Sequence, residues 1–315
     1  MDANIAVLRR VIEMKIWQVI LFAVLQGITE FLPVSSSGHL VLLKNLLGLE
    51  TTVSVSFDVM LHVGTLFAVF VCYWKDIKRL IVEGIGILVD CCYNIGVYFN
   101  NKKILSASQK DGVDWELKGY RRVIKSAYRK FALLVIVSSI PTAILGVIER
   151  KLIEDRVVTS ALVPGIFLLI TGLMLLLIDR LEEGNKTPKH TTYWDAVLVG
   201  IAQGIGTLPG ISRSGSTITA GVAVGMKREF AIKYSFIMSI PAIIGAAIFE
   251  IGDIKNEHLT KLDLRNYAIG MVVAAIVGFI CIKLLVALIR DKKMFCFTYY
   301  CFAIGSIAII SSIIL

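Results

Sequence analysis

The sequence predicts an all-α polytopic membrane protein built as an inverted-topology repeat, each half a re-entrant helical hairpin followed by three transmembrane helices. Three observations predict it. Apolar residues make up 56% of the 315-residue chain and charged residues only 18%, against about 45–50% and about 25% in soluble domains, and the excess falls in blocks long enough to span a bilayer. Two apolar blocks are interrupted by clusters of Pro, Gly and Ser that also carry ionisable groups, at Gln26–Leu40 (QGITEFLPVSSSGHL) and Gln203–Thr217 (QGIGTLPGISRSGST). The two interruptions also share one pattern. Gln26-Gly27-Ile28 matches Gln203-Gly204-Ile205, Leu32-Pro33 matches Leu208-Pro209, and Ser35-x-Ser37-Gly38 matches Ser212-x-Ser214-Gly215.

Taken in order, residues 1–15 read as a short amphipathic entry segment. Arg9, Arg10 and Lys15 before an apolar run mimic a signal peptide, but the run continues to Glu30 and Pro33 without an A-x-A cleavage site, so the segment reads as mature structure. The apolar run 16–32 and the piece Leu40–Leu49 are each too short to cross about 30 Å of hydrocarbon. They predict a hairpin over 16–50 that dips in and returns, with irregular backbone tolerated only under protein or water cover.

Full spans follow at Val53–Trp74, Phe131–Val147 and Val157–Ile178. Between the first two lies a basic cytoplasmic insertion at about 75–130, whose 101–130 portion carries nine Lys/Arg, from Lys102 to Lys130. Its apolar part, 80–99, either crosses or lies along the interface, and basic residues on both sides favour the interface. The first repeat is thus 1–178, the linker 179–192, and the second repeat 193–315. The second repeat has its re-entrant hairpin at 194–226 and spans at Phe230–Ile251, Tyr267–Ile289 and Phe295–Leu315. Three spans per unit invert the second unit. With the basic loop inside, both termini fall outside and the 179–192 and 290–293 loops inside; Arg9, Arg10 and Lys15 run against that orientation.

The formal net charge of +9 reads as cytoplasmic loops rather than nucleic-acid binding, because Lys/Arg excess in a membrane protein marks that side. The six cysteines show no CxxC pair or metal spacing and read as buried small hydrophobes.

The broken segments carry the chemistry. Ionisable groups at membrane depth are costly, roughly 2.5–3.5 kcal/mol each, and point to function. Half-helix N-termini at two facing breaks expose backbone N–H groups and a positive dipole end, an anion site. Arg213 adds a planar fork that matches phosphate or carboxylate. Its structural reading is an ion pair with Glu30 that only neutralises two charges, which leaves the serines without a role. Glu30 can ligate a divalent cation, act as a general base or pair with Arg213, and Gln26, one turn earlier, offers an amide oxygen to the same cation. His39 is a candidate proton shuttle. His62, mid-span, reads as packing or a supporting contact. Of Ser35, Ser36 and Ser37, one can cap the next helix and another can attack a phosphoryl group.

At these residues the chain resembles the undecaprenyl-pyrophosphate phosphatase family, also called the bacitracin-resistance (BacA/UppP) family. Gln26–His39 matches its (E/Q)xxxE–FLPVSSxGH block and Pro209–Thr217 its PGxSRSGxT block. The resemblance implies a multi-pass enzyme of the bacterial plasma membrane, its active site open to the outer face. It would remove the terminal phosphate of a C55 isoprenyl pyrophosphate, regenerating the lipid carrier for cell-wall synthesis and conferring bacitracin resistance. Membrane lipids are the other expected partners; no nucleic acid is expected, and a homodimer is open. By position, Ser36 is then the nucleophile, His39 the acid/base, Glu30 the activating or metal-associated acid and Arg213 the phosphate clamp. Ser35, Ser37, Ser212, Ser214 and Thr217 would line the phosphate pocket. Glu30 and Gln26 would hold Mg²⁺ or Ca²⁺, on which the family depends. The rival reading is an inverted-repeat transporter or flippase for an anionic lipid or other anion.

Overall fold

A computed structural model describes residues 14–49, 54–111, 116–153, 161–254, 260–290 and 294–314. The expected entry segment, with Arg9 and Arg10, lies outside the described residues except for Met14 and Lys15, as do Lys292 and Lys293. Among the described residues there are ten helices: α1 Ile16–Phe31, α2 Ser36–Leu47, α3 Val55–Asp111, α4 Ala127–Ile153, α5 Leu162–Arg180, α6 Tyr193–Ile205, α7 Arg213–Ala223, α8 Arg228–Ile254, α9 Lys261–Arg290 and α10 Phe295–Ile314. Six of them (α3, α4, α5, α8, α9 and α10) are long and apolar enough to cross a membrane. The protein is an all-α polytopic membrane protein.

The four short helices form the two hairpins. At 1.5 Å per residue, α2 and α7 extend roughly 16–18 Å, well short of a bilayer. Pro33 and Pro209 stop the incoming helices, and hydroxyl caps start the outgoing ones. Ser35 Oγ accepts from Gly38 N–H at 3.3 Å and Ser212 Oγ from Gly215 N–H at 3.0 Å. The sequence places the second outgoing helix at 216–226; it begins at Arg213, which is therefore a first-turn residue beside the cap.

Each hairpin is covered by the other half of the chain. α1 packs on α9, and α6 packs on α4. Small residues permit this: a Cβ on Gly27 would lie 2.9 Å from the Ala274 carbonyl oxygen, and one on Gly204 only 2.6 Å from Leu145 Cβ. Close backbone approach is the usual basis of helix association in lipid, where burying apolar groups gains little. Around the hairpins Phe31 meets Phe236 edge-on at 5.4 Å, and the buried Tyr234 donates its hydroxyl to the Leu134 carbonyl at 2.8 Å. The outer surface is apolar: Ile276, Ile280 and Leu284 form an exposed stripe on α9, with Ala274, Ile282 and Leu285 buried behind it. Such a surface fits acyl chains and not water.

α3 runs far past the expected end of the first span at Trp74. Only Tyr73 departs from helical geometry (φ −114°, ψ 21°), so the 74–111 portion of the insertion is a helical arm. Residues 116–126 return along that arm as irregular chain into α4.

Candidate active site

The two breaks touch. Ser35 Oγ, already the cap of α2, also accepts the Gly210 N–H at 3.1 Å, and a Cβ on Gly38 would come within 2.8 Å of Gly210 Cα. Ser35 holds a left-handed backbone (φ 69°), a conformation costing about 1–3 kcal/mol for such a residue. Its two accepted bonds, and the His39 bond to its carbonyl described below, hold it there. Gly210 has φ 101°, and a Cβ there would lie 2.4 Å from the Pro164 carbonyl oxygen. Gly210→Ala is therefore expected to lower thermal stability in detergent and to cut activity at least about tenfold, the strain and the clash acting together. A variant that melts and turns over like the wild type would show that the breaks need not meet.

Glu30, at the end of α1, is buried among polar partners from four helices. Its Oε1 accepts from Arg213 Nη2 of α7 at 2.8 Å. Its Oε2 accepts from Ser36 Oγ at 2.6 Å and from Gln26 Nε2 at 2.9 Å, and lies 3.3 Å from His62 Nδ1 of α3. Gln26 Nε2 is also 3.0 Å from that same His62 nitrogen. The i, i+4 spacing on α1 puts Gln26 beneath Glu30. Two polar atoms are buried here without a hydrogen-bond partner among the described residues, Arg213 Nη1 and Gln26 Oε1. The first is a guanidinium donor with nothing to donate to, the second an amide oxygen with nothing to accept.

The three serines have separate duties. Ser36 alone among them is bonded to the carboxylate. Ser35 joins the two breaks, and Ser37 Oγ lies 3.5 Å from Ser35 Oγ. All three, with Glu30, His62, Ser212 and Arg213, line a cavity of about 190 Å³. Its far wall is apolar, made by Val59 and by Ala242, Ile243, Ala246 and Ala247 of α8. Polar floor and greasy wall suit a ligand with a charged head and a hydrocarbon tail.

Other sequence candidates lie elsewhere. His39 does not line this cavity: its Nδ1–H donates to the Ser35 carbonyl at 2.7 Å, its Nε2 accepts from the Tyr300 hydroxyl at 2.8 Å, and the two rings stack with centroids 5.5 Å apart. Both ring nitrogens are thus engaged, Nδ1 by the Ser35 carbonyl one turn earlier and Nε2 by Tyr300 of α10. Ser214 and Thr217 are also absent from the lining. Ser214 Oγ is 3.2 Å from Ser212 Oγ and donates weakly to the Leu32 carbonyl, while Thr217 Oγ1 is 2.5 Å from Ser235 Oγ and bonds its own helix. α7 turns those two hydroxyls into the protein. The imidazole that does reach the site, His62, looked like packing in the sequence. Its one available signal was a His placed mid-span among apolar residues.

Comparison with known proteins gives the same answer from a separate direction. Residues 19–307 match the family described as bacitracin resistance protein BacA. An undecaprenyl-diphosphatase from Methanosphaera stadtmanae is 41% identical over 296 residues, covering 94% of this chain and 98% of the relative. Another from Alkaliphilus metalliredigens is 37% identical over 301 residues, covering 96% and 100%, and one from Methanobrevibacter smithii is 35% identical over 303 residues, covering 95% and 99%. With near-complete coverage on both sides, and with both motifs meeting at one buried carboxylate, the chain belongs to the BacA bacitracin-resistance family.

Proposed function

We propose that the protein is an integral membrane phosphatase that hydrolyses undecaprenyl pyrophosphate to undecaprenyl phosphate and inorganic phosphate, returning the lipid carrier to cell-wall synthesis and so conferring bacitracin resistance. The observation that carries this reading is the short Ser36–Glu30 hydrogen bond, held by Arg213 from the opposite break at the floor of a cavity with an apolar wall.

The chemistry follows from those atoms. Ser36 Oγ attacks the terminal phosphorus while its proton passes to Glu30 Oε2. The bond from that phosphorus to the bridging oxygen breaks, and the electron pair leaves with undecaprenyl phosphate, which needs no protonation to depart. Water then attacks the phosphoserine, releasing phosphate, and the proton held at Glu30 returns to Ser36 Oγ. Charge on the phosphoryl oxygens is met by the unpartnered Arg213 Nη1 and by those first-turn N–H groups of α2 and α7 that the Ser35 and Ser212 caps do not take. Ser35, Ser37 and Ser212 border the same space. Glu30 is steadied by Gln26 and His62, and we read His39 as positioning Ser35 rather than moving protons.

Gln26 Oε1, buried and unpartnered, and Glu30 fit a hard divalent cation, Mg²⁺ or Ca²⁺, provided that diphosphate oxygens complete its shell. Among the described residues no group of three His, Cys, Asp or Glu side chains is placed to hold a metal by itself. When bound, the cation would supply charge neutralisation on the diphosphate.

The reciprocal packing of α1 on α9 and α6 on α4 supports an inverted repeat of 1–178 and 193–315. The outer-face opening has support too. α4 begins with Arg129 and Lys130 at the basic end and finishes near Glu149, whose carboxylate accepts from Thr207 at the cavity rim. This favours an opening at the end opposite the Lys/Arg-rich loops, the side that the charge distribution assigns to the exterior. Homodimerisation, which the sequence leaves open, is read out by detergent-corrected mass in light scattering.

The purified protein in detergent, given a polyprenyl pyrophosphate and Mg²⁺ or Ca²⁺, is expected to release phosphate, to stop on chelation and to resume when the cation is restored. Absence of release together with saturable anion uptake into liposomes would replace the enzyme by a transporter. Release unaffected by chelation would remove the cation.

A further inference from the structure

Beyond Tyr73 the arm of α3, residues 74–111, extends roughly 57 Å at 1.5 Å per residue, about twice the thickness of a hydrocarbon core. Its two faces differ. One is polar and is matched, group by group, by the returning chain. Asn94 donates to the Arg121 carbonyl at 2.8 Å and accepts the Arg121 N–H at 2.7 Å. Two turns on, Asn101 repeats this with Lys118 at 2.9 Å in both directions. Each amide thereby stands in for a strand neighbour. Nearer the bundle, Asp90 takes Arg129 at 2.5 Å and Lys125 at 2.8 Å, and Glu83 takes Arg129 at 2.9 Å and Ser126 at 3.0 Å. The return segment is fixed on the arm along its length.

The other face is apolar and exposed among the described residues. Ile81, Ile85, Leu88, Cys92, Ile95 and Phe99 follow one another at helical spacing, and the five other than Cys92 are between 54% and 66% exposed; Cys92 is also exposed. The aromatic residues Trp74, Tyr98 and Tyr120 are exposed nearby, the residue types that settle at membrane–water interfaces. At the root of the arm Arg122, Lys125, Lys130 and Lys189 border a wide basin of about 750 Å³ with no acidic residue among the described residues of its lining. An apolar helix face with aromatics and a cationic rim is the composition of an interfacial helix. The arm also continues a transmembrane helix, so a bilayer is already at its root. A second copy is the poorer occupant, since a two-fold contact sets the same basic rim against itself.

We propose that this arm lies along the membrane surface at the basic end of the bundle, its apolar stripe in the bilayer and its Arg122–Lys125–Lys130–Lys189 basin on the phosphates of anionic phospholipids. The arm is a lipid-binding element separate from the catalytic cavity.

The full chain reconstituted in phosphatidylcholine nanodiscs, with and without phosphatidylglycerol, tests this. In a variant keeping Cys92 and replacing the other five cysteines, a fluorophore on Cys92 is expected to be quenched by nitroxides on the acyl chains and shielded from a water-borne quencher. Native mass spectrometry should find phosphatidylglycerol retained by the wild type. R122E and K189E should each weaken that retention about thirtyfold, a charge reversal being two units at about fivefold each, with phosphate release unchanged as the control for folding. Cys92 open to the aqueous quencher in both lipids, phosphatidylglycerol retention indifferent to the charge reversals, or efficient Cys92–Cys92 cross-linking between copies would each overturn the proposal. The mass-spectrometric arm needs no cysteine replacement and stands if that variant fails to fold.

Discussion

Ser36→Ala is expected to reduce phosphate release at least about 10²-fold, and by more if the nucleophile has no substitute, while leaving the melting temperature nearly unchanged. The hydroxyl gives one hydrogen bond to Glu30 at 2.6 Å and takes no part in capping α2, which Ser35 does. Removing it leaves Glu30 with Arg213 and Gln26, so the fold keeps its buried charge paired. Ser35→Ala should behave differently. It deletes the acceptor for both Gly38 and Gly210 N–H groups, so activity and stability should fall together. Initial rates and thermal unfolding in the same detergent separate the two. Near-normal turnover in Ser36→Ala would hand the attack to water or to another serine.

Arg213→Ala is expected to have the second large effect, a loss of about 10²–10³-fold in turnover, the usual range for removing one preorganised charge that meets the transition state. A stability cost accompanies it. Glu30 is buried, and breaking a buried ion pair from one side costs about 3–5 kcal/mol because the remaining charge is left uncompensated. His62 and Gln26 soften that cost here by staying on the other carboxylate oxygen, Oε2. Arg213→Lys should recover stability better than activity, since an ammonium can pair with Glu30 but cannot at the same time offer the second arm that Nη1 provides. A scaffold without chemistry predicts loss of stability alone. Combining Arg213→Ala with Glu30→Gln in a double-mutant cycle tests the link: if the pair is the unit, the double variant should be more stable than Arg213→Ala by itself.

Much of this was present in the linear chain. Six spans, two broken hairpins and their internal likeness follow from hydropathy and from the Pro, Gly and Ser clusters, because in hydrocarbon every backbone group must be satisfied and each departure from plain apolar helix marks itself. Glu30, Arg213 and the Ser35–Ser37 run were legible for that reason, and Ser36 was singled out within the run only by the family resemblance. They are polar groups at a depth where polar groups are expensive.

Tertiary structure decided which neighbours those groups have. Spacing put His39 near the serines, but helix α2 rotates it toward Tyr300; a position three residues from Ser36 in sequence says nothing about which side of the helix meets the cavity. His62, thirty-odd positions away, reaches Glu30 because α3 crosses beside α1. Ser214 and Thr217 share a motif with Arg213 but point inward, since one turn of α7 distributes its side chains around the axis. The long arm was the least legible part. Its apolar residues suggested either a span or an interfacial helix, and only the Asn94, Asn101 and Asp90 bonds to the returning chain show which face is occupied.

The sequence by itself determined that this is a polytopic helical membrane protein with two broken hairpins, and it named the carboxylate, the serine run and the guanidinium on which the proposed chemistry rests. That the first hairpin's Glu30 holds the second hairpin's Arg213, that Ser36 and not its neighbours takes the carboxylate, and that His62 rather than His39 stands beside it, were decided only in three dimensions. Hydrophobicity and backbone satisfaction are local costs written residue by residue, whereas hydrogen-bond partners depend on how helices far apart in the chain rotate against one another.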